Sequence, residues 1–223
     1  MKLLLTSGGI TNGAIAKALF ELVGKKPRNT HIAFIPTAAN VEKGDKDWLI
    51  DDLYNLKKLN LKCVDIVDIS AMPKKIWLPR LKAADVLFFS GGNSFWLAHW
   101  LQKSGLAKLL PRLLKTRVYA GISAGSIITG PSLFLSSRDK KIYYEKIMGH
   151  PASNKGLHFV DFHIRPHFNS PHFPRARTSF LKKLAKELSE TIYALDDKTA
   201  LKIDGKKVKI VGAGRYLVLN NRT

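Results

Sequence analysis

The chemistry this chain could perform begins at Gly121-Ile122-Ser123-Ala124-Gly125, a Gly-x-Ser-x-Gly run placed directly after the β-prone stretch Thr116-Arg117-Val118-Tyr119. At a tight strand-to-helix corner a serine Oγ stands clear of the backbone, and small neighbours permit an approach that larger side chains would block. Ser123 is the candidate nucleophile. A serine hydroxyl attacks poorly at neutral pH unless a base lies within hydrogen-bond reach. Phe162-His163-Ile164-Arg165-Pro166-His167-Phe168 supplies two imidazoles. His163 falls inside a strand-like run, whereas His167 follows Pro166 where the chain leaves the sheet, the kind of position on which sites are built. His167 is therefore favoured, with His172 as a further loop candidate. The base needs an acid to fix its tautomer. Asp196-Asp197, following Ile192-Tyr193-Ala194-Leu195, is the natural source, and Asp139 competes from the loop after the elbow. Blander readings are a packing turn at the glycines and a hairpin turn at the aspartates.

Two more glycine turns, Ser7-Gly8-Gly9 and Ser90-Gly91-Gly92-Asn93, also close apolar strands. Ligands of open parallel sheets gather at such strand ends. Neither a Walker motif nor Gly-x-Gly-x-x-Gly occurs, so the free N–H groups read better as an oxyanion hole, formed at Gly92 and at Ala124. The His-x-x-x-His spacing has no carboxylate or third ligand nearby, and neither metal nor cofactor is expected.

The elements that must carry these residues alternate. Strand signals at 2–6, 31–35, 62–68 and 85–89 are interleaved with helical periodicity at 12–23, 46–59, 73–83 and 94–104, where Trp48, Leu49, Leu53 and Leu56 are expected to face inward. The fold class is α/β, a mostly parallel central sheet with helices on both faces. Beyond the elbow, 133–155 reads as polar and irregular, 159–164 as a strand and 176–188 as an amphipathic basic helix. The strands expected at 191–194, 200–203, 207–211 and 215–219 add antiparallel hairpins at the C-terminal end, with Ile203-Asp204-Gly205-Lys206 as a turn.

The 223 residues suit one domain, 1–223. No run is long enough to span a bilayer and the start is too short for a signal-peptide core, so a cytoplasmic location without membrane association is expected. The lone Cys63 reads as a small buried hydrophobe. The formal net charge is +20, an attraction for anions. Its lysines are scattered pairs, without the aromatic-interleaved patch of a single-strand binder, so nucleic acid is not the expected partner.

Together, Leu3 to Gly9, Ile32-Ala33-Phe34-Ile35-Pro36-Thr37-Ala38, Phe89 to Phe95, Gly121 to Ser126, Arg165-Pro166-His167-Phe168 and Ala194 to Ala200 resemble the peptidase E family of serine exopeptidases, which is related to cyanophycinase. The resemblance implies a glutamine amidotransferase-like fold and a triad of Ser123, His167 and an acid. The family's glutamate position is matched by Asp197, one methylene shorter, with Asp196 as the alternative. It further implies a dipeptidase acting on short peptides, with N-terminal aspartate as the preferred residue of close relatives. Asp139, near a functional aspartate of the family, would bind a substrate α-amino group, and Asn93, Arg165 and Arg175 are the remaining substrate-binding candidates. A homodimer is the assembly to look for. The rival expectations are a catalytically silent relative that binds an amino-acid-like ligand, and a nucleic-acid-associated basic protein.

Overall fold

Alternation within the strands decides which side chains face which layer. In the computed structural model, which describes residues 1–221, β1 (Lys2–Thr6) turns Leu3 and Leu5 to one side of the sheet and Leu4 to the other. The same split separates Ala33 and Ile35 from Ile32 and Phe34 on β2 (His31–Ile35), and Leu87 and Phe89 from Val86 and Phe88 on β4 (Val86–Phe89). Arg222 and Thr223, the end of the expected domain, lie outside the described residues. With β3 (Cys63–Ile66), β5 (Val118–Ile122), β8 (Thr199–Asp204) and β9 (Lys207–Gly212), these strands form a seven-stranded sheet in the order β3-β2-β4-β5-β1-β8-β9. The first five in that order run parallel, and β8 and β9 join antiparallel.

Helices cover both faces. On one side, α1 (Gly13–Val23) buries Ile15, Leu19 and Leu22, and α3 (Asp47–Lys57) adds Leu56. The Asn12 side chain caps α1 by accepting from the Ile15 N–H, and Gly24 closes it in the left-handed region. On the other side lie α4 (Lys74–Ala83) with Trp77 and Leu81, α5 (Ser94–Lys103) with Leu97 and Leu101, and α6 (Leu106–Leu113) with Leu106 and Leu110. Two single turns, α2 (Thr37–Asn40) and α7 (Ala124–Ile127), follow β2 and β5. A second sheet, β10-β7-β6, joins β6 (His163–Arg165), β7 (Ile192–Leu195) and β10 (Tyr216–Leu219), with β6 parallel to β7 and β10 antiparallel to it.

Four expectations change. The stretch read as irregular contains α8 (Arg138–Met148), whose polarity hid it because Tyr144 is its one buried residue. The basic helix expected over 176–188 is broken: a 3-10 turn at Pro174–Ala176, α9 (Thr178–Leu184), then another 3-10 turn at Ala185–Glu187. Cys63 is exposed, because it opens β3 at the edge of the sheet. Trp48 is also exposed, at 39%, with its ring beside Gly91 just past the end of β4. No helix among the described residues is long and apolar enough to cross a membrane.

Candidate active site

The carboxyl ends of β1, β4 and β5 meet at a chamber of about 550 Å³ lined by Ser7, Gly92, Ser123, His167 and Asp197. Ser123 stands between β5 and α7 with φ 45° and ψ −101°, a combination that a non-glycine residue keeps only when its surroundings over-determine it. Those surroundings are on the chain. The Ser123 N–H donates to Thr6 O at 3.1 Å, and the Gly125 N–H donates to Ser90 O at 3.2 Å. The Ser126 Oγ lies 2.7 Å from Thr6 O and 2.8 Å from Gly121 O. The glycine flanks are required by contact, since a Cβ on Gly125 would lie 2.4 Å from Phe89 O.

Ser123, His167 and Asp197 form one hydrogen-bonded line. Ser123 Oγ is 2.9 Å from His167 Nε2, and His167 Nδ1 is 2.7 Å from Asp197 Oδ1. The imidazole plane is set by Phe173, stacked on it with ring centroids 4.1 Å apart at 12°. Burial pushes the Asp197 carboxyl up. Hydrogen bonds from His167 and Ser7 and the charge of the imidazole outweigh it, leaving Asp197 below its usual range. The neighbouring Asp196 has other work: its Oδ1 accepts from the Lys198 N–H and the Thr199 hydroxyl, which closes the turn between β7 and β8.

Ser7 is a part the sequence did not disclose. Its hydroxyl donates to Asp197 Oδ1 at 2.7 Å and accepts from the His167 N–H at 2.8 Å, so one side chain from the end of β1 fixes two members of the line. Thr11 and Asn12 add hydrogen bonds to the carbonyls of Asp197 and Lys198.

The Gly92 and Ala124 amides have no acceptor among the described residues. Gly92 sits at φ 125°, with Ala38 O 2.1 Å from where a Cβ would be, so that only glycine fits the turn. Lys140 of α8 donates to Gly92 O at 2.6 Å and faces Glu42 at 3.4 Å. Asn93 is fully buried. Its Oδ1 accepts from the Phe95 and Trp96 N–H groups and its Nδ2 donates to Lys140 O, so its contribution is a fixed turn.

The other binding candidates stand apart. Asp139, Arg165 and Arg175 line a neighbouring cavity of about 560 Å³, which shares His172 and Phe173 with the Ser123 chamber. Arg165 is 7% exposed; its Nη1 donates to Leu135 O at 2.9 Å, and it has no carboxylate partner among the described residues. Burial, followed by the charge of Arg175, lowers its guanidinium to about 10. His163 is buried, and burial depresses its pKa.

The family model of Peptidase family S51 matches residues 3–211. Among curated relatives, a peptidase E of Streptomyces coelicolor is 28% identical over 222 residues, covering 95% of this chain and 84% of that protein. An uncharacterized peptidase of Pasteurella multocida is 26% identical over 188 residues, covering 83% and 86%. Among solved structures, that of a candidate peptidase E protein from Listeria monocytogenes EGD-e superposes with a TM-score of 0.75 at 26% identity, covering 96% of this chain and 98% of that one.

Proposed function

The chain belongs to peptidase family S51, and from that membership we propose that it is a serine exopeptidase, a dipeptidase that hydrolyses short peptides through an acyl-enzyme. The observation that carries the proposal is the continuous line from Asp197 through His167 to Ser123, ending on a serine in a strained backbone corner.

In this mechanism Ser123 Oγ attacks the carbonyl of the first peptide bond while His167 Nε2 takes its proton. Asp197, already hydrogen-bonded at Nδ1, holds the tautomer and balances the imidazolium. The Gly92 and Ala124 N–H groups receive the developing oxyanion. His167 then protonates the leaving amine, and water resolves the acyl-enzyme. No step calls for a metal or cofactor. The substrate's free carboxylate reaches past Phe173 and His172 toward Arg165 and Arg175, whose guanidinium groups suit a carboxylate through charge-assisted hydrogen bonds. Asp139 lines that same cavity, and Asn93 fixes the turn that carries Gly92.

The test is amino-acid release from a dipeptide panel that includes N-terminal aspartate. The unsubstituted chain releases free amino acid, Ser123→Ala abolishes release while keeping its melting transition, and a chelator leaves the rate as it was. Equal rates from the two chains would end the proposal.

A further inference from the structure

The Ser123 chamber has an acidic side that this mechanism leaves unused. Four carboxylates line it: Glu42, Asp51, Asp52 and Asp197. Asp197 is engaged by His167 and Ser7, Glu42 faces Lys140, and Asp51 is exposed on the rim. Asp52 differs from all three. It is 8% exposed, and it receives no hydrogen bond and faces no cation among the described residues. Its Oδ1 lies 2.8 Å from where a Cβ on Gly9 would be, and Cδ1 of Ile122, the residue before the nucleophile, lies 3.3 Å from that same point. A buried carboxyl without a donor is costly unless a partner arrives.

We propose that Asp52 forms an ammonium subsite that receives the free α-amino group of the substrate, so that the enzyme reads the N-terminus of its peptide. The inference rests on the exopeptidase reading, and covalent geometry favours this residue over Asp139. An α-nitrogen lies about 2.5 Å from the carbonyl carbon of its own residue, closer than the substrate's carboxylate, so a carboxyl in the Ser123 chamber itself is its nearer partner. Asp52 lines that chamber, and Asp139 lines the cavity beyond Phe173. The unbound carboxyl is held mainly neutral at pH 7: burial, then the charges of Asp51 and Asp197, raise it to about 8. Also facing the chamber are His167, His172, Lys43, Lys140 and Glu42. An arriving ammonium ion restores the ionised form, and the displaced proton passes to solvent.

The experiment is calorimetric binding of Ala-Ala and N-acetyl-Ala-Ala to Ser123→Ala and to Ser123→Ala/Asp52→Asn. Asparagine keeps the shape of the neutral acid. Ser123→Ala is expected to bind the free dipeptide at least 10-fold more tightly than the acetylated one, and Asp52→Asn to erase that preference while shifting acetylated-peptide binding less than threefold. A preference that survives Asp52→Asn, an equal loss for both peptides, or no saturable binding of Ala-Ala would overturn the proposal. The nucleophile has been removed from both proteins, so these readings do not depend on its reactivity. Fluorophosphonate labelling of the unsubstituted chain reports on the exopeptidase reading separately.

Discussion

The two cavities that meet at Phe173 each bury one charge-bearing side chain without an opposite charge, Asp52 in one and Arg165 in the other, and the two respond differently. A carboxyl can escape by taking a proton, and Asp52 is raised to about 8. A guanidinium lowered to about 10 is still charged at neutral pH. The acidic side is thus a site whose charge is completed by its ligand, whereas the arginine side presents its charge before any ligand arrives. A dipeptide carries an ammonium at one end and a carboxylate at the other, the two charges that the proposed subsites would take.

The largest expected effect is on stability. Asp52 is raised from 3.8 to about 8 by folding, so the unfolded chain ionises first and Asp52 becomes destabilising as pH rises between those values. Asp52→Asn should raise unfolding free energy by a few kcal/mol above pH 8, since each tenfold difference in proton affinity between the folded and unfolded chain is worth about 1.4 kcal/mol. Denaturant curves of the two proteins should converge near pH 4, and a gap independent of pH would break the contrast with Arg165. Next in size, Arg165→Met should lower kcat/KM for dipeptides with a free carboxylate by about 10- to 100-fold, the range of a hydrogen bond to a charged group. C-terminally amidated dipeptides should change little. A similar fall for both would reduce the arginine cavity to a structural role. Smallest, Ser7→Ala should lower kcat about 10-fold through a less constrained His167, with KM nearly unchanged, because the Ser7 hydroxyl is spent on the hydrogen-bonded line and belongs to neither charged subsite.

What could be read in advance followed local patterning. The parallel strands announced themselves as apolar runs closed by Ser-Gly-Gly turns, and the serine elbow by its two glycines, because each is specified within a few residues. Asp52 could not be read this way: an acid on an amphipathic helix looks solvated until Gly9, from another element, closes over it. Trp48 was misplaced for a related reason, since periodicity gives α3 an apolar face but not the part of that face left bare beside the chamber. Ser7 meets Asp197 across 190 residues of chain, and α8 buries too little to show a helical stripe. Nor did the net charge of +20 foretell an acid-lined chamber, because a sum over the surface says nothing of one concavity.

The bond from Ser7 to Asp197 ties the order of synthesis to the onset of reactivity. Ser7 leaves the ribosome 190 residues before Asp197 and waits at the end of a central strand, while β8, which flanks that strand, emerges only after Asp197. A nascent or prematurely terminated chain that already displays Ser123 therefore lacks the acid and the strand beside it. The hydroxyl is armed only in a polypeptide translated past Asp197 and β8.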